Sequence, residues 1–285
     1  MTQFISEISS NHNNNLKRSL KMIDVSSKIG FDIVKFQLFK IDKLFSKEIL
    51  IRSKNHRDRK KWELNEKYIP ILAKECKKKK VKFCVTPFYL EAVDIIKPYV
   101  DYIKIASYEI LWKDLLVKCA KTKKPIIIST GMANIKEVVS AVKTLRSNGA
   151  KKIIILHCVS NYPAELNSLN LSAINTIRDK TKLAVGWSDH SNNPLVIYRA
   201  IEKWGAAFIE MHVDLDGKGF EYKSGHCWLP EKSKEVIDFV RKTKLIDSNG
   251  KKKPDKSEVD ERKFRADPFD GLRPIKRYRK FFGKK

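Results

Sequence analysis

Two lysines lie where lysine is rarely tolerated. Lys35 sits inside the apolar run IVKFQ and Lys104 inside YIKIAS, so both ammonium groups are set to be buried. A buried lysine needs a counter-charge or a bound anion. Two of them, with hydroxyls such as Thr86, Ser107 and Ser188 nearby, describe a pocket for a phosphate or carboxylate. Two histidines, His190 in WSDHS and His212 in EMHVD, close two further apolar runs. Imidazoles on neighbouring strand ends can share one divalent cation, and nitrogen donors suit Mn, Fe, Co or Zn. Cys158 and Cys227 could join such a set, although a buried free cysteine commonly serves as a small hydrophobe. A second chemistry open to Lys35 or Lys104 is nucleophilic attack, forming an imine as in an aldolase.

These residues need elements that bring them together. Eight short β-branched runs cover residues 4–9, 32–39, 81–88, 102–107, 125–130, 152–158, 182–188 and 208–214. Their near-continuous apolar character fits strands buried on both faces of a parallel sheet. Amphipathic stretches at 16–28, 66–79, 135–147, 194–204 and 230–242 predict helices. Gly30, Gly149 and Gly205 suit left-handed helix caps. This alternation predicts an α/β fold, a closed (β/α)8 TIM barrel. An open doubly wound sheet would carry a glycine-rich loop after its first strand, where this chain reads SEISSNHNNN.

The strand C-termini of such a barrel build its site. Read in order, they present Glu7, Asn11 and His12; Lys35 and Gln37; Thr86; Lys104, Ser107 and Glu109; and Ser129 and Thr130. The last three strands add His157, Ser160, Asn161 and Tyr162; Ser188, Asp189 and His190; and Glu210, His212, Asp214 and Asp216. The barrel is expected over residues 1–244, with an insertion at 40–65 on the active-site side and a basic extension at 245–285.

Composition narrows the class. The chain has 285 residues, 59 basic against 33 acidic, for a net charge of +26. That excess suggests a polyanion partner, but 46 of the basic residues are lysine and only 13 arginine, and they are widely scattered. Nucleic-acid recognition leans on arginine forks, so no nucleic-acid partner is expected. Five cysteines without a CxxC pair fit a reduced, cytoplasmic protein. Neither a signal peptide nor a run of the roughly 18 apolar residues that span a bilayer is evident, so no membrane association is expected.

The segments SEISSNHNNNLKRSLKMID, IVKFQLF, VTPF, YIKIASYE, IISTGM, LHCVSNYPAE, VGWSDHS and IEMHVD follow one another along the chain. Together they resemble the N-acetylneuraminate (sialic acid) synthase family, with its legionaminate, pseudaminate and spore-coat relatives, from about residue 4 to residue 240. The resemblance implies a (β/α)8 barrel that condenses phosphoenolpyruvate with an N-acetylated amino sugar such as N-acetylmannosamine, using a divalent metal. Mn2+ is the expected ion, with Mg2+ or Co2+ as substitutes. It further implies that Glu7 is an acid/base carboxylate near the reacting enol carbon. Lys35, Thr86, Lys104, Ser107 and Ser188 would cradle phosphoenolpyruvate, Ser129, Ser160 and Glu221 would also bind substrate, and His190 and His212 would hold the metal. Gln37, Glu109 and Tyr162 would face the sugar, with Glu109 counted among the catalytic groups. A homodimer is compatible with the resemblance.

Three departures from the family pattern stand out. Ser160 occupies a phosphate-contact position where asparagine is frequent. The acidic GPD-like loop is replaced by DLDGKGFEYKSGHCWLP, in which Glu221 stands in for the aspartate. No antifreeze-like domain is expected in 245–285, so Arg273 or Arg57 is a candidate for the sugar contact that this domain supplies in longer relatives. Beside the synthase reading stand two alternatives. One is a Schiff-base aldolase or lyase on the same barrel; the other is an inactive basic barrel that binds RNA or another polyanion.

Overall fold

In a computed structural model of the protein, which describes residues 2–282, each apolar run becomes one strand of a single sheet. The strands are β1 (Gln3–Glu7), β2 (Ile33–Leu38), β3 (Lys82–Pro87), β4 (Tyr102–Ile105), β5 (Ile126–Ser129), β6 (Ile153–His157), β7 (Ala184–Asp189) and β8 (Phe208–His212). All pair in parallel with their sequence neighbours, and β8 closes on β1, giving the expected barrel. A helix follows each strand: α1 (Leu16–Ile29), α2 (Ile69–Lys78), α3 (Leu90–Ile96), α4 (Lys113–Lys121), α5 (Ile135–Ser147), α6 (Ala173–Thr181), α7 (Pro194–Glu202) and α8 (Pro230–Asp247).

Local signals set the helix limits. Asn15 caps α1 by accepting the Arg18 amide, and Gly30 ends it at φ 104°, a backbone geometry that side chains resist. Asn134 and Glu137 form a reciprocal capping box on α5. The 40–65 insertion folds into three short helical segments and a 3-10 turn after β2. Its Trp62 ring stacks on Phe220 of the loop after β8, with centroids 6.2 Å apart.

The barrel interior is layered by the two-residue period of its strands. Ile5, Ile33, Cys84, Tyr102, Ile127, Ile154, Leu156 and Phe208 form an apolar plug. Two positions further along the same strands stand Glu7, Lys35, Thr86, Lys104, Ser129 and Glu210. The outward-facing residues, among them Phe36, Phe83 and Trp187, join the larger core between sheet and helices. The first compact unit covers Met1–Arg241. A second, Lys242–Lys285, has its own small framework. There Arg279 grips Asp270 through two bonds of 2.5 and 2.6 Å, and Phe264 packs on Phe282.

Closure of β7 on β8 relies on Gly186. A Cβ at this position would stand 2.2 Å from the backbone oxygen of Phe208 and 2.8 Å from Leu156 Cδ2. Gly186→Ala should therefore lower stability by about 3 kcal/mol in a denaturant titration. A variant within about 0.5 kcal/mol of the parent would show that the ladder can yield there.

Candidate active site

Four charges meet above the apolar plug. Lys35 Nζ lies 2.6 Å from Glu7 Oε2 and 2.9 Å from Glu210 Oε2, while Lys104 Nζ lies 3.0 Å from Glu210 Oε1. All four side chains are buried. Register brings them together: Glu7 pairs with Lys35 across β1–β2 and with His212 across β1–β8. Gln37 donates to Glu7 at 2.9 Å and Ser188 donates to Glu210 at 2.9 Å, so each carboxylate is oriented by a neutral partner as well. Burial opposes charge on Lys104, but the field and hydrogen bond of Glu210 outweigh it and raise its pKa. Lys35 is pushed the other way, to about 8, by burial and then by the charge of Lys104. Burial also opposes charge on Glu210, yet the two lysines keep it ionised well below the usual carboxylate range.

Beside the charges lies a group of hydroxyls. Thr86 Oγ1, Ser129 Oγ and Ser160 Oγ are buried with no hydrogen-bond partner, an arrangement that is costly unless a ligand completes it. Ser107 Oγ accepts the Gly131 amide at 3.0 Å. A Cβ on Gly131 would fall 2.2 Å from Ser160 Oγ and 2.9 Å from Ser107 Oγ, so the glycine keeps this corner open. Glu109 has one buried oxygen without a partner, and burial pushes its pKa up to about 7.

The third part of the site is a cluster of imidazoles. The rings of His212 and His226 lie 4.6 Å apart, and His190 stands 5.2 Å from His212. Tyr162 packs over the group, 4.2 Å from His190 and 4.9 Å from His226. His190 Nδ1 lies 2.6 Å from the Val159 carbonyl, which makes it the donor and leaves Nε2 as the ligand nitrogen. Burial pushes all three histidines down to about 3, helped by the charge of Lys35 at His212 and by neighbouring imidazoles at the other two. Their lone pairs are therefore free at neutral pH. Glu221 approaches His212 Nδ1 at 3.3 Å and His226 Nε2 at 3.9 Å. The ligand atoms of His212, Glu221 and His226 all lie within 4.8 Å of one another, so this donor set fits a divalent metal.

The loop after β8 carries Glu221 and His226 back over His212. Asn11 holds it by accepting the Glu221 amide at 2.9 Å and donating to the Val213 carbonyl at 3.0 Å. Arg18 ties Asp214 and Asp216 to the Asn11 carbonyl, and Ser9 donates to Glu221. At the far end, buried Asp189 accepts from the indole nitrogens of both Trp187 and Trp228. Trp228 in turn donates its amide to the His212 carbonyl at 2.7 Å.

The expected residues converge, with changes in detail. Glu210, read in the sequence only as a strand-end polar residue, is the counter-charge that the lysines required. Pairing alone thus satisfies their burial, and the argument for an anion pocket rests on the unpartnered hydroxyls. The Ser188 hydroxyl is given to Glu210 rather than left open, and Gln37 is bonded to Glu7. Glu221, expected among the substrate-binding residues, stands beside the imidazoles. His226 was not anticipated at all; its signal was the lone histidine after Gly225 in the loop that departs from the family pattern. Cys227 Sγ lies 3.9 Å from His226 Nε2, but burial pushes its thiol up to about 12, and Cys158 Sγ sits against Ser107. Arg57 spends its guanidinium on the carbonyls of Leu50 and Ile51 within the insertion. Arg273 belongs to the second unit.

Comparison with known proteins supplies context for this geometry. A profile of the NeuB family matches residues 22–252. An N,N'-diacetyllegionaminic acid synthase of Campylobacter jejuni is 36% identical over 272 residues, covering 90% of this chain and 80% of that protein. A pseudaminic acid synthase from the same species is 30% identical over 260 residues, covering 87% of this chain and 75% of that protein. Among solved structures, an N-acetylneuraminic acid (sialic acid) synthetase from Leptospira borgpetersenii, in complex with citrate, superposes with a TM-score of 0.80. It is 29% identical, over 91% of this chain and 90% of that one.

Two predictions follow from the geometry. A histidine kept neutral by the fold takes its proton only when the chain unfolds. Between the ordinary value of 6.5 and about 4 for His12, or about 3 for His190, His212 and His226, the unfolded state binds more protons. Stability then falls as pH is lowered, by up to roughly 1.4 kcal/mol per pH unit for each group. Glu109 and Asp189, whose folded pKa values are raised by burial, work in the opposite sense, but they are two groups against five, since burial lowers His157 as well. Thermal melts of the metal-free protein should therefore show a lower Tm at pH 5 than at pH 7, and an equal Tm would contradict the neutral cluster. In the anion corner, Gly131→Ala should weaken binding of a phosphate- or carboxylate-bearing anion about tenfold or more with little loss of Tm. Unchanged affinity in calorimetry would place the anion elsewhere.

Proposed function

The chain belongs to the NeuB family, and on that premise we propose that it condenses phosphoenolpyruvate with an N-acetylated hexosamine, releasing phosphate and forming a nonulosonic acid. The observation that carries this reading is the juxtaposition of three groups. Paired lysines, unpartnered hydroxyls and neutral imidazoles all open on one barrel mouth.

The chain's own residues divide the work. Lys35 and Lys104, with the hydroxyls of Thr86, Ser107, Ser129 and Ser160, take the phosphate and carboxylate of phosphoenolpyruvate and stabilise charge as the phosphate departs. Glu210, held by Ser188, keeps both ammonium groups in place. Glu7, oriented by Gln37, stands at the inner wall to move a proton on the water that adds at C2 of the enol. C3 of the enol forms the new bond to the sugar aldehyde carbon; the aldehyde oxygen takes up a proton, and phosphate leaves by cleavage of its bond to C2. Glu109, poised near neutrality, is placed to exchange a proton with the sugar. Tyr162 and the Trp62–Phe220 stack wall the sugar side.

His212 and Glu221, with His190 beside them, would hold a divalent ion, which would supply Lewis-acid chemistry for the sugar aldehyde. We take Mn2+ or Co2+ as that ion. All five cysteines are free and buried, which suits a reducing compartment, and we place the enzyme in the cytoplasm. Among the described residues, no helix is long and apolar enough to cross a membrane.

The reading is tested by phosphate release from phosphoenolpyruvate with Mn2+ and a panel of N-acetylmannosamine, deoxy and diacetamido hexoses, followed by product mass. One of these sugars should support turnover, and His212→Ala should reduce it by about 100-fold or more. Silence across the panel, or full activity in that variant, would sink the proposal. In Glu109→Gln, the limb of the pH–rate profile near neutrality should disappear together with most of kcat. A retained limb would remove Glu109 from proton transfer.

A further inference from the structure

We infer that His226 is a metal ligand: with His212 and Glu221 it makes a three-donor site that selects a transition-metal dication over Mg2+. The inference deepens the proposed function at the same site, since the family resemblance implies only His190 and His212 there.

Ligand spacing supports this assignment. Ligands about 2.1 Å from one metal stand roughly 3.0–3.5 Å apart. The carboxylate oxygen of Glu221 already lies 3.3 Å from His212 Nδ1 and 3.9 Å from His226 Nε2. All three ligand atoms lie within 4.8 Å of one another, so side-chain shifts on the order of 1 Å would close the set.

The backbone also delivers the ring to this point. Glu221 and His226 are separated by the 3-10 turn Tyr222–Ser224, which ends at Gly225 with φ +81°. That left-handed step turns the chain inward directly before His226. Directly after it, Trp228 is fastened to Asp189 by its indole nitrogen and to the His212 carbonyl by its amide. Both ends of the short segment are thus anchored, and His226 is 3% exposed. Two imidazoles and a carboxylate form a donor set that Mg2+, with its preference for oxygen and water, fills poorly. Co2+ and Zn2+ accept it readily.

The test is a Co2+ titration of the metal-free protein without either substrate, read by visible d–d absorption and by calorimetry. The parent should bind one Co2+ and retain it against a large excess of Mg2+. His226→Ala should weaken Co2+ binding about 10–100-fold and alter the absorption, whereas His56→Ala, in the insertion, should change neither. His226→Gln fills the cavity left by alanine, and thermal melts of both variants establish that they are folded. A folded His226 variant that binds Co2+ as tightly as the parent overturns the inference, as does a parent that binds none or surrenders it to Mg2+. Phosphate release that persists while Co2+ affinity ignores His226 would remove this ligand and leave the reaction standing. Binding that depends on His226 without phosphate release would do the reverse.

Discussion

The site depends on four charges that can be buried only together. Glu7, Lys35, Glu210 and Lys104 alternate in sign, and each touches its neighbour across 2.6–3.0 Å. An unpaired ion at this depth would cost several kcal/mol, and truncating one member leaves an uncompensated charge behind. Glu210 is the hinge of the arrangement because it serves both lysines. The four side chains come from β1, β2, β4 and β8, so they meet only because the sheet closes. A one-residue slip in any of these strands would send its charge into the apolar layer outside the barrel. Register, the apolar plug beneath and the charged layer above are one constraint.

The same burial has opposite results a few ångströms away. Paired with each other, buried Glu210 and Lys104 stay ionised. The imidazoles lose their protons because burial disfavours the cation, and the nearby lysines make it worse for His212. The mouth therefore sets ammonium donors for an anion next to uncharged donors for a cation. The two lysines and two carboxylates balance one another, so an anion bound on the lysines would add a net attraction for a metal at the histidines. Each ligand favours the other by simple electrostatics, and Glu221 contributes a fixed negative charge on the metal side.

Much of this was legible in the letters. Lys35, Lys104 and His212 announce themselves as polar residues in near-continuous apolar runs, and strand positions agree with the sequence to within two residues. Glu210 was equally visible, two positions before His212 and on the same face, but its partners lie on β2 and β4, far along the chain. Pairing of that kind belongs to the closed barrel and has no local signature. His226 was harder, because it lies in a loop without periodicity, and its approach to His212 depends on one left-handed glycine and an indole clamp. The role of Gly131 is similar: it comes from the space beside Ser160, which no spacing rule encodes.

The two halves of the mouth are built by different means, and this bears on what each can vary. The anion half stands on strands, where a change in one side chain strains neighbours through register and close packing. The metal and sugar half stands on the loop after β8 and the insertion after β2, joined by Trp62 and Phe220. That loop is held by a few discrete anchors: Asn11, Arg18 and Asp189. So long as they remain, residues between them can change without disturbing the barrel. Substitution of Phe220 or Trp62 would reshape the stack that joins the insertion to this loop and leave the lysines where they are. In the proposed reaction, the shared substrate would be bound by the part of the fold that resists change, and discrimination between sugars would fall to the part that tolerates it.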